Sequence, residues 1–406
     1  MRVVTAFNRI LRVPGAWVTG VVFDDDDGVV VSIRARARRH RCPCGWSTSA
    51  RYDRSRRRWR HLDAASMQVW LEADIARIDC GRCGRVRTED VAWARPGARH
   101  TRDFEDLVAW LAQRTDKTSI ARLLRCSWEA VQRVVTRVVA DHIDDRRFEA
   151  LRHIGVDEIN YKRGHKYLTV VADHDTGRVV WVAEGRTQAA LEGFFDALGP
   201  ERRQRIEAVS MDMATIYRDA TRRAVPHAAI CFDPFHLVSW ANKAVDAVFQ
   251  KVDRRSSQLT GREWRQARYA LRAGAERLGS RHLELLAVIE ADRQQLFHAW
   301  ELKEEFRALF QTVDADDAED YLRDWITRAR GSGLPSMINL ARQIERNFEG
   351  IVNTVRLGLS NSRLEGVNAK IRLINRRGFG HPKWQNLAAM IHLCLGGITV
   401  PLPTQR

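Results

Sequence analysis

The spacing of apolar positions divides the chain into a β-rich first quarter, a mixed middle and a helical remainder. Short strand-like runs, such as Gly28 to Ile33 and Gln68 to Ile78, flank a very basic stretch in the first quarter. From about residue 103 to 145, and again from 238 to 353, apolar residues recur at helical spacing. No internal repeat or low-complexity linker is present, so this change of period alone predicts several domains.

The middle of the chain has the pattern of an α/β domain. Three strand-like runs follow one another between residues 153 and 184, separated by turn signals at Arg163-Gly164 and Asp175-Thr-Gly177. A helical pattern over 188–198, a strand over 206–212, a helix after Thr215 and a short strand at 228–232 complete the succession. The order β-β-β-α-β-α-β predicts an RNase H-like fold.

Composition and charge indicate the class of binding partner and the cellular compartment. At 406 residues the chain suits two to four domains, and 67 Lys+Arg against 51 Asp+Glu give a formal charge of +16. A GC-rich genome would explain abundant arginine but not the imbalance of sign, so DNA is the expected partner. There is no secretory-signal pattern, and the apolar segment 387–403 is too interrupted to span a membrane. We expect a cytoplasmic, nucleoid-associated protein with no membrane contact.

Four of the seven cysteines form two close pairs, Cys42 with Cys44 and Cys80 with Cys83. Two such pairs, each followed by glycine, can supply the four tetrahedral ligands of one structural Zn²⁺ per chain. The first pair has a single-residue spacer, which leaves His40 as a substitute ligand and buried, unligated thiols as the alternative. The other three cysteines are expected in the core: Cys126, Cys231 and Cys394.

Two segments are candidates for binding DNA. The run between the cysteine pairs carries guanidinium groups beside aromatic residues, which suits phosphate contact, although a solvated charged face has the same composition: Arg56, Arg57, Arg58 and Arg60. Three apolar helical stripes follow, and Ser127 is placed to cap the third. This predicts a helix-turn-helix that presents five residues to the major groove, unless the helices are a plain packing unit: Glu129, Gln132, Arg133, Thr136 and Arg137.

Two aspartates stand where a metal site would use them. Asp157 lies inside the first strand of the middle region and Asp212 at the end of the fourth. A carboxylate in an apolar strand is costly unless it meets a cation, and adjacent parallel strands would bring the two side by side. Carboxylates with open positions suit two Mg²⁺ or Mn²⁺ ions, which activate the attacking oxygen and stabilise the leaving one.

A third acid lies on a distinctive helix. Asn361, Glu365, Asn368 and Arg372 fall at i, i+4, i+7 and i+11, so one polar stripe carries a carboxylate flanked by amides. A merely solvated helix would more often carry Lys–Glu pairs. The row therefore indicates a functional face.

At this point the sequence resembles the ISL3 transposases almost from end to end. The motifs occur in the family's order: the cysteine pairs, the helix-turn-helix, Gly155-Val-Asp157-Glu, Asp212-Met, Asp233-Pro-Phe-His236, Asn361-Ser-Arg-Leu-Glu365-Gly-Val-Asn-Ala-Lys-Ile-Arg372 and Gly396-Gly-Ile-Thr.

The resemblance implies an RNase H-like DDE catalytic domain, interrupted by a helical insertion, with Asp157, Asp212 and Glu365 as its triad. The predicted domains are then residues 1–98 (zinc-binding, Arg-rich), 99–150 (helix-turn-helix), 151–237 (first catalytic part), 238–353 (helical insertion) and 354–406 (last catalytic part). The N-terminal units would recognise the terminal inverted repeats of an insertion sequence, in a homodimer or larger assembly. The narrowed Cys42–Cys44 spacing departs from the family's pattern.

The expected reaction is metal-dependent cleavage at the transposon end, followed by attack of the freed 3′-hydroxyl on target DNA. Asn368, Lys370 and Arg372 would contact DNA near the scissile phosphate. His236 is a weaker candidate, because it can also cap a neighbouring helix. Two rivals remain: a transposase-derived transcription regulator that has lost catalysis, and an RNase H-like nuclease or resolvase without end recognition.

Overall fold

A computed structural model describes residues 2–24, 28–253 and 259–403. The described part of the chain is a mixed α+β protein with sixteen α-helices and twelve β-strands. The helices are α1 Val3–Leu11, α2 Arg102–Ala112, α3 Lys117–Leu123, α4 Trp128–His142, α5 Gln188–Leu198, α6 Pro200–Arg203, α7 Thr215–Ala224, α8 Pro234–Lys251, α9 Gly261–Arg272, α10 Ser280–Asp292, α11 Gln294–Ala308, α12 Ala318–Gly331, α13 Pro335–Arg346, α14 Phe348–Leu357, α15 Ser362–Arg377 and α16 Trp384–Leu395. The strands are β1 Ala16–Asp24, β2 Gly28–Ala35, β3 His40–Arg41, β4 Ser47–Thr48, β5 Asp53–Arg60, β6 Gln68–Cys80, β7 Arg85–Thr88, β8 His153–Lys162, β9 Lys166–Asp173, β10 Val179–Glu184, β11 Ala208–Met211 and β12 Ala229–Phe232.

The chain forms two compact units. Residues up to 144 and from 374 onward make up the first unit, and residues 145–373 make up the second. The five-domain division expected from the sequence is finer than this and stays a prediction. Within the described ranges, no helix combines the length and the apolar character that a membrane crossing requires.

The first unit is built around a five-stranded sheet in which β6 is the central strand. It pairs in parallel with β2 and antiparallel with β5 and β7, while β1 extends the sheet beyond β2. Side chains of β2 alternate between buried and half-buried positions, so one face of the strand packs into the core. Val29, Val31, Val69 and Leu71 are fully buried there. The β-rich first quarter expected from the sequence is confirmed.

Helices α2, α3 and α4 follow in the same unit, each with a side-chain cap. Thr101, Asp116 and Ser127 accept hydrogen bonds from backbone N–H groups in the first turns of α2, α3 and α4, respectively. The cap predicted at Ser127 is therefore confirmed, with Oγ 3.2 Å from the amide nitrogen of Ala130. The C-terminal helix α16 packs against α4.

The second unit contains a five-stranded sheet of order β10-β9-β8-β11-β12. The first three strands form an antiparallel meander, and β11 and β12 join β8 in parallel. Both connections to these parallel strands contain helices, α5 and α6 before β11 and α7 before β12. The succession of strands and helices predicted between residues 153 and 232 is confirmed, with ends shifted by at most two residues.

Helices α8 to α14 occupy the described residues between 234 and 357 and share one hydrophobic core with the sheet. Helix α14 packs on β12, where Thr354 Oγ1 accepts from the Phe232 amide at 2.8 Å and donates to the Phe232 carbonyl at 2.9 Å. The Phe232 ring packs so closely on the backbone of α14 that a Cβ on Gly350 would lie 2.3 Å from it. This contact fixes the end of the helical region at the edge of the sheet, just before α15 begins.

Candidate active site

Asp157 and Asp212 lie at matching positions of neighbouring parallel strands. In the pairing of β8 with β11, Gly155 lies opposite Ser210. Each aspartate is two positions further along its own strand direction, Asp157 within β8 and Asp212 just after β11. The predicted placement of the two acids side by side therefore agrees with the strand register.

The Asp157 carboxylate is held by two donors. Its Oδ1 accepts from the backbone N–H of Glu158 at 2.8 Å, and its Oδ2 accepts from Asn368 Nδ2 at 2.7 Å. Burial, with the negative charges of Asp212 and Asp233, raises the pKa of Asp157 to about 6. The site thus carries more negative charge than the protein compensates.

Asp212 begins the turn that leads from β11 to α7. Its Oδ1 accepts from the Ala214 N–H at 2.9 Å, and its Oδ2 lies 3.6 Å from Nη2 of Arg186. The side chain is 15% exposed, so it is half-buried with one side open to solvent. Asp212 is therefore oriented by its own turn and by a cation from another loop.

Helix α15 is fastened over β8 and β11 by the amides that flank Glu365. Asn361 donates to the Val156 carbonyl at 3.3 Å and accepts from the Ser210 hydroxyl at 2.5 Å. Asn368 donates to Asp157, as described above. Because Asn361, Glu365 and Asn368 share one face of the helix, the two anchors turn that face toward the sheet.

Close packing supports these anchors. Leu364 is buried directly over Gly155, where an added Cβ would lie 2.2 Å from Leu364 Cδ1. His174 Nε2 is hydrogen-bonded to the Ser210 hydroxyl at 2.6 Å, which connects the meander to the Asn361 anchor. The position of α15 depends on these buried contacts rather than on surface ion pairs.

Glu365 itself is exposed. Burial and the charge of Glu365 raise the pKa of Asp233, so these two acids are electrostatic neighbours. Among the described residues, only the four paired cysteines bring three or more potential ligand atoms within 4.8 Å of one another. The acids Asp157, Asp212 and Glu365 are thus neighbours of one region without forming a tight ligand set.

Three further charged residues of this region, Glu158, Arg186 and Asp233, were given no role by the sequence reasoning, and His236 was its weaker candidate. Burial and the charges of Asp212 and Asp157 raise the pKa of Glu158 to about 7, and Arg186 Nε lies 2.8 Å from its Oε1. Asp233 is 5% exposed and accepts from the Phe235 N–H at the start of α8. His236 is half exposed, 3.8 Å from Asp233 Oδ2, in the first turn of the same helix. Direct succession to Asp157 was the sequence signal for Glu158, whereas Arg186 had none.

The four paired cysteines converge in the first unit. Cys42 Sγ lies 3.9 Å from Cys83 Sγ, and Cys44 Sγ lies 3.6 Å from Cys80 Sγ. A tetrahedron with Zn–S bonds of about 2.3 Å has sulfurs about 3.8 Å apart, so the spacing fits one zinc ion. The backbone N–H of Trp46 lowers the pKa of Cys44 to about 7, whereas the sulfurs of Cys44 and Cys80 raise that of Cys83 to about 12.

The structure also tests the expectations for His40, for the narrow Cys42–Cys44 spacing and for the three isolated cysteines. His40 Nδ1 lies 2.7 Å from Glu89 Oε2, so this side chain is engaged outside the sulfur cluster. The single-residue spacer between Cys42 and Cys44 does not prevent the four sulfurs from meeting. Of the three isolated cysteines expected in the core, Cys231 is fully buried and the other two, Cys126 and Cys394, are partly buried.

The arginine run lies on β5, and its members differ in surroundings. Arg57 is exposed, while the exposed guanidinium groups of Arg56 and Arg58 both contact Glu72, at 2.5 and 3.2 Å. Arg60 is only 4% exposed and pairs with Asp63. The structure therefore leaves Arg60 no surface for a phosphate, because its side chain is packed within the unit.

The candidate DNA-contacting residues of helix α4 also differ in their surroundings. Arg133 is exposed, whereas Gln132 is 7% exposed and its amide contacts Lys117 and Thr136. Arg137 is half-buried and pairs with Glu105, a fully buried carboxylate. Glu129, Arg133 and Thr136 are therefore the groove-reading candidates open to solvent in this structure, whereas Gln132 and Arg137 stabilise helix packing.

The candidate phosphate contacts on α15 show the same contrast. Lys370 and Arg372 are exposed, but Asn368 is 4% exposed and is occupied by Asp157. Asn368 therefore orients an acid of the site in this structure, whereas the side chains of Lys370 and Arg372 face solvent.

Comparison with known proteins agrees with this architecture. A family model described as a transposase matches residues 154–391, and a model of the helix-turn-helix domain of the ISL3 transposase family matches residues 89–139. The transposase for insertion sequence element IS1557 of Mycobacterium tuberculosis is 39% identical, over 99% of this chain and 98% of the relative. The transposase for IS1001 of Bordetella parapertussis is 26% identical, over 92% of this chain and 94% of its own. With matching family models in both units and a relative of this identity along its whole length, the chain belongs to the ISL3 family of transposases.

Proposed function

We propose that the chain binds the terminal inverted repeats of an insertion sequence and catalyses strand cleavage and strand transfer at the acids Asp157, Asp212 and Glu365. One observation carries this proposal: two aspartates at matched positions of parallel strands, with Glu365 on a helix whose neighbouring amides are anchored to those same strands. The sheet order, three antiparallel strands followed by two parallel ones, supports an RNase H-like catalytic domain.

The donor set fits divalent cations. The acids offer hard oxygen ligands, and the raised pKa of Asp157 shows negative charge that a cation would offset. We assign Asp157, Asp212 and Glu365 as the ligands of two Mg²⁺ or Mn²⁺ ions. When bound, such a pair activates the attacking oxygen and stabilises the leaving oxygen of an in-line displacement.

The residues around the acids have separate tasks in this proposal. Asn368 orients Asp157 by donating to its Oδ2, and Asn361 holds the start of α15 on the backbone of β8. Lys370 and Arg372, exposed on the same helix, contact phosphates beside the scissile bond. His236 is left out, because its contact with Asp233 in the first turn of α8 gives it a structural partner.

DNA recognition is assigned to the first unit. The sulfur cluster would hold one structural Zn²⁺, which keeps the turns around Cys42 and Cys80 in place beside β5. Arg57, with the partly neutralised Arg56 and Arg58, would contact phosphates without reading sequence. Arg133 on α4 is the candidate for base contact. Assembly as a homodimer or larger complex on paired ends is part of the same proposal.

The test uses purified protein, Mg²⁺ and duplexes that carry the terminal sequences read from the DNA flanking the gene. The unmodified protein should nick at the element end and join the freed 3′-hydroxyl to a target duplex. Glu365→Gln should bind the ends equally well and cut at least about 100-fold more slowly, because an amide cannot hold the ions. Glu290→Gln, an exposed acid on α10, is the matched control.

Normal cutting by Glu365→Gln would overturn the assignment of the acids. End binding without any cutting by the unmodified protein would favour a transcription regulator. Cutting of duplexes regardless of their terminal sequence would instead favour a nuclease.

A further inference from the structure

Arg186 is held at the edge of the acidic site by a short turn between β10 and α5. The preceding Gly185 has a φ of +96°, donates its N–H to the Tyr167 carbonyl at 2.8 Å and accepts from Thr169 Oγ1 at 2.8 Å. The following Thr187 caps α5 by accepting from the Ala190 N–H at 3.2 Å. The backbone on both sides of Arg186 is therefore fixed, so its side chain starts from a defined position.

The side chain of Arg186 connects two acids of the site. Nε lies 2.8 Å from Glu158 Oε1, and Nη2 lies 3.6 Å from Asp212 Oδ2. Both carboxylates are about 85% buried, whereas Arg186 is 42% exposed. Among the described residues, no hydrogen bond or ion pair of Nη1 accompanies these two contacts, and the 42% exposed side chain leaves that nitrogen available to an acceptor from outside the protein.

The supports behind Arg186 are buried. Thr169, which lies opposite Glu158 in the β8–β9 pairing, is fully buried, and its hydroxyl lies 3.0 Å from that of the fully buried Tyr217. Burial and then the charge of Glu158 raise the pKa of Tyr217, which places that hydroxyl beside the carboxylate. Exposed ion pairs contribute only about 0–1 kcal/mol. Charge balance alone therefore does not account for the ordered, buried contacts that support Arg186.

We propose that Arg186 is a further catalytic residue, which donates from its open edge to a non-bridging oxygen of the phosphate being cut, and that Glu158 is the residue that positions it. The inference rests on the proposed function, because the phosphate must lie between Asp157 and Asp212. A guanidinium has donors on two edges, so it can keep Glu158 on one edge and take a phosphate oxygen on another.

Arg186 makes and breaks no covalent bond in this role. The attacking oxygen forms its bond to phosphorus as the leaving oxygen departs, and negative charge grows on the oxygens around phosphorus. Arg186 stays protonated throughout, since arginine does not lose its proton in proteins. Its contribution is a hydrogen bond that strengthens as this charge develops, which lowers the barrier more than it tightens binding.

The first experiment compares Arg186→Ala and Arg186→Lys with the unmodified protein. The matched control is Arg223→Ala, an exposed arginine of the same unit that pairs with Glu192 at 3.0 Å. In single-turnover cleavage of preassembled end complexes, Arg186→Ala should be slower by about 100-fold, the usual loss when one such donor is removed. Arg186→Lys should cut faster than Arg186→Ala but more slowly than the unmodified protein, because lysine keeps the positive charge and lacks the planar, multiple-donor geometry of the guanidinium. Arg223→Ala should cut normally.

The second experiment needs no catalysis. Binding is measured without added Mg²⁺ or Mn²⁺, and without a chelator that would strip zinc from the first unit, on end duplexes in which one phosphate at a time, at and around the cleavage position, is replaced by an uncharged methylphosphonate. The unmodified protein should lose about tenfold in affinity at one position, and Arg186→Ala should be insensitive at that position alone, since the contact is already gone. Equal sensitivity of both proteins at every position would overturn the proposal.

Glu158 needs its own test, because its second oxygen, Oε2, is buried without a hydrogen-bond partner in the described residues and could bind a cation. Bound Mn²⁺ is counted from the electron paramagnetic resonance signal of the free ion. If Glu158 positions Arg186, Glu158→Gln should bind Mn²⁺ normally, and adding it to Arg186→Ala should slow cleavage no further. Loss of Mn²⁺ binding in Glu158→Gln would make it a ligand and refute the positioning role.

These outcomes separate this inference from the proposed function. Failure of the unmodified protein to cut element ends would overturn the proposed function. Normal cutting by Arg186→Ala would overturn the role of Arg186 while leaving Asp157, Asp212 and Glu365 in place. Melting temperatures of all variants are measured without added Mg²⁺ or Mn²⁺; if Arg186→Ala fails to fold, the comparison uses Arg186→Lys, and if Glu158→Gln fails to fold, it uses Glu158→Asp.

Discussion

Replacing Asp157 by asparagine should stabilise the second unit while abolishing cleavage. The pKa of Asp157 is raised to about 6 from an ordinary value of 3.8, mainly by burial. The shift is about two pKa units. At about 1.4 kcal/mol per unit, ionising this carboxylate at neutral pH lowers the stability of the folded protein by about 3 kcal/mol. Asparagine carries no charge, its oxygen can still accept from the Glu158 amide, and its NH2 group can donate to Asn368 once the Asn368 amide is turned over to present its oxygen.

The sign of the pH dependence follows from the direction of the shift. Between pH 3.8 and about 6 the unfolded chain loses the Asp157 proton while the folded protein keeps it, so the stability of the unmodified protein falls as pH rises. Above about pH 6 the penalty is constant. The advantage of Asp157→Asn should therefore be fully developed at pH 7.5, about half as large at pH 5 and absent below about pH 3.8.

Calorimetric melting in EDTA measures this difference. For a unit of this size 1 kcal/mol shifts the melting temperature by about 2–4 °C, so we expect Asp157→Asn to melt about 6–12 °C higher at pH 7.5. Asp196→Asn, an exposed acid of the same unit paired with Arg203, should leave the melting temperature unchanged. Adding Mg²⁺ should raise the melting temperature of the unmodified protein and have less effect on the variant. An equal or lower melting temperature for Asp157→Asn in EDTA would refute this reasoning.

Three further predictions concern the anchors and the first unit. Asn368→Ala should bind ends normally but cut about 10–100-fold more slowly in single-turnover assays, because Asp157 loses the donor that orients it. Cys80→Ser, or chelation, should remove one Zn²⁺ per chain by metal analysis and lower the melting temperature of the first unit alone, since the ligands lie within it. Arg57→Ala should weaken binding to all duplexes and flatten its dependence on salt, whereas Arg133→Ala should reduce the preference for the terminal sequence; equal losses on specific and random DNA for both variants would contradict this division.

Local sequence pattern was sufficient for much of the architecture. Helix α5 begins and ends where its apolar period does, and Ser127 caps α4 as its position before Trp128 predicts. The matched positions of Asp157 and Asp212 also followed from local pattern, because Asp157 lies within one strand and Asp212 directly follows another, and the order of these strands along the chain favours parallel neighbours. These features depend on residues near one another in sequence.

Exposure of individual side chains could not be predicted in the same way. Arg60 ends a run of exposed arginines, but Asp63 and the ring of Phe104, 44 positions further along the chain, enclose its guanidinium. Gln132 lies on the expected helix, yet Lys117 of the preceding helix occupies its amide. In both cases a contact with another segment of the chain determines how exposed the side chain is, and composition does not reveal that contact.

The acids beyond the predicted three illustrate the same limit. Glu158 directly follows Asp157, but alternation along β8 places it on the opposite face of the strand, so the strand pattern argued against joining the two in one site. Arg186 stands alone in a turn and has no motif around it. Only the fold, which brings the turn after β10 next to the end of β11, makes it a neighbour of Asp212.

Gly155, which has no side chain, is a position at which a mutation can affect the site without changing any of its acids. Any other amino acid there would push Leu364 away, since even a methyl group has no room between the strand and α15. The resulting chain would still carry Asp157, Asp212 and Glu365, yet the packing of Leu364 that helps to hold the third acid over the sheet would have to change. An inspection that counts acidic residues would therefore score such a gene as intact, although a single codon had altered the support of its third acid.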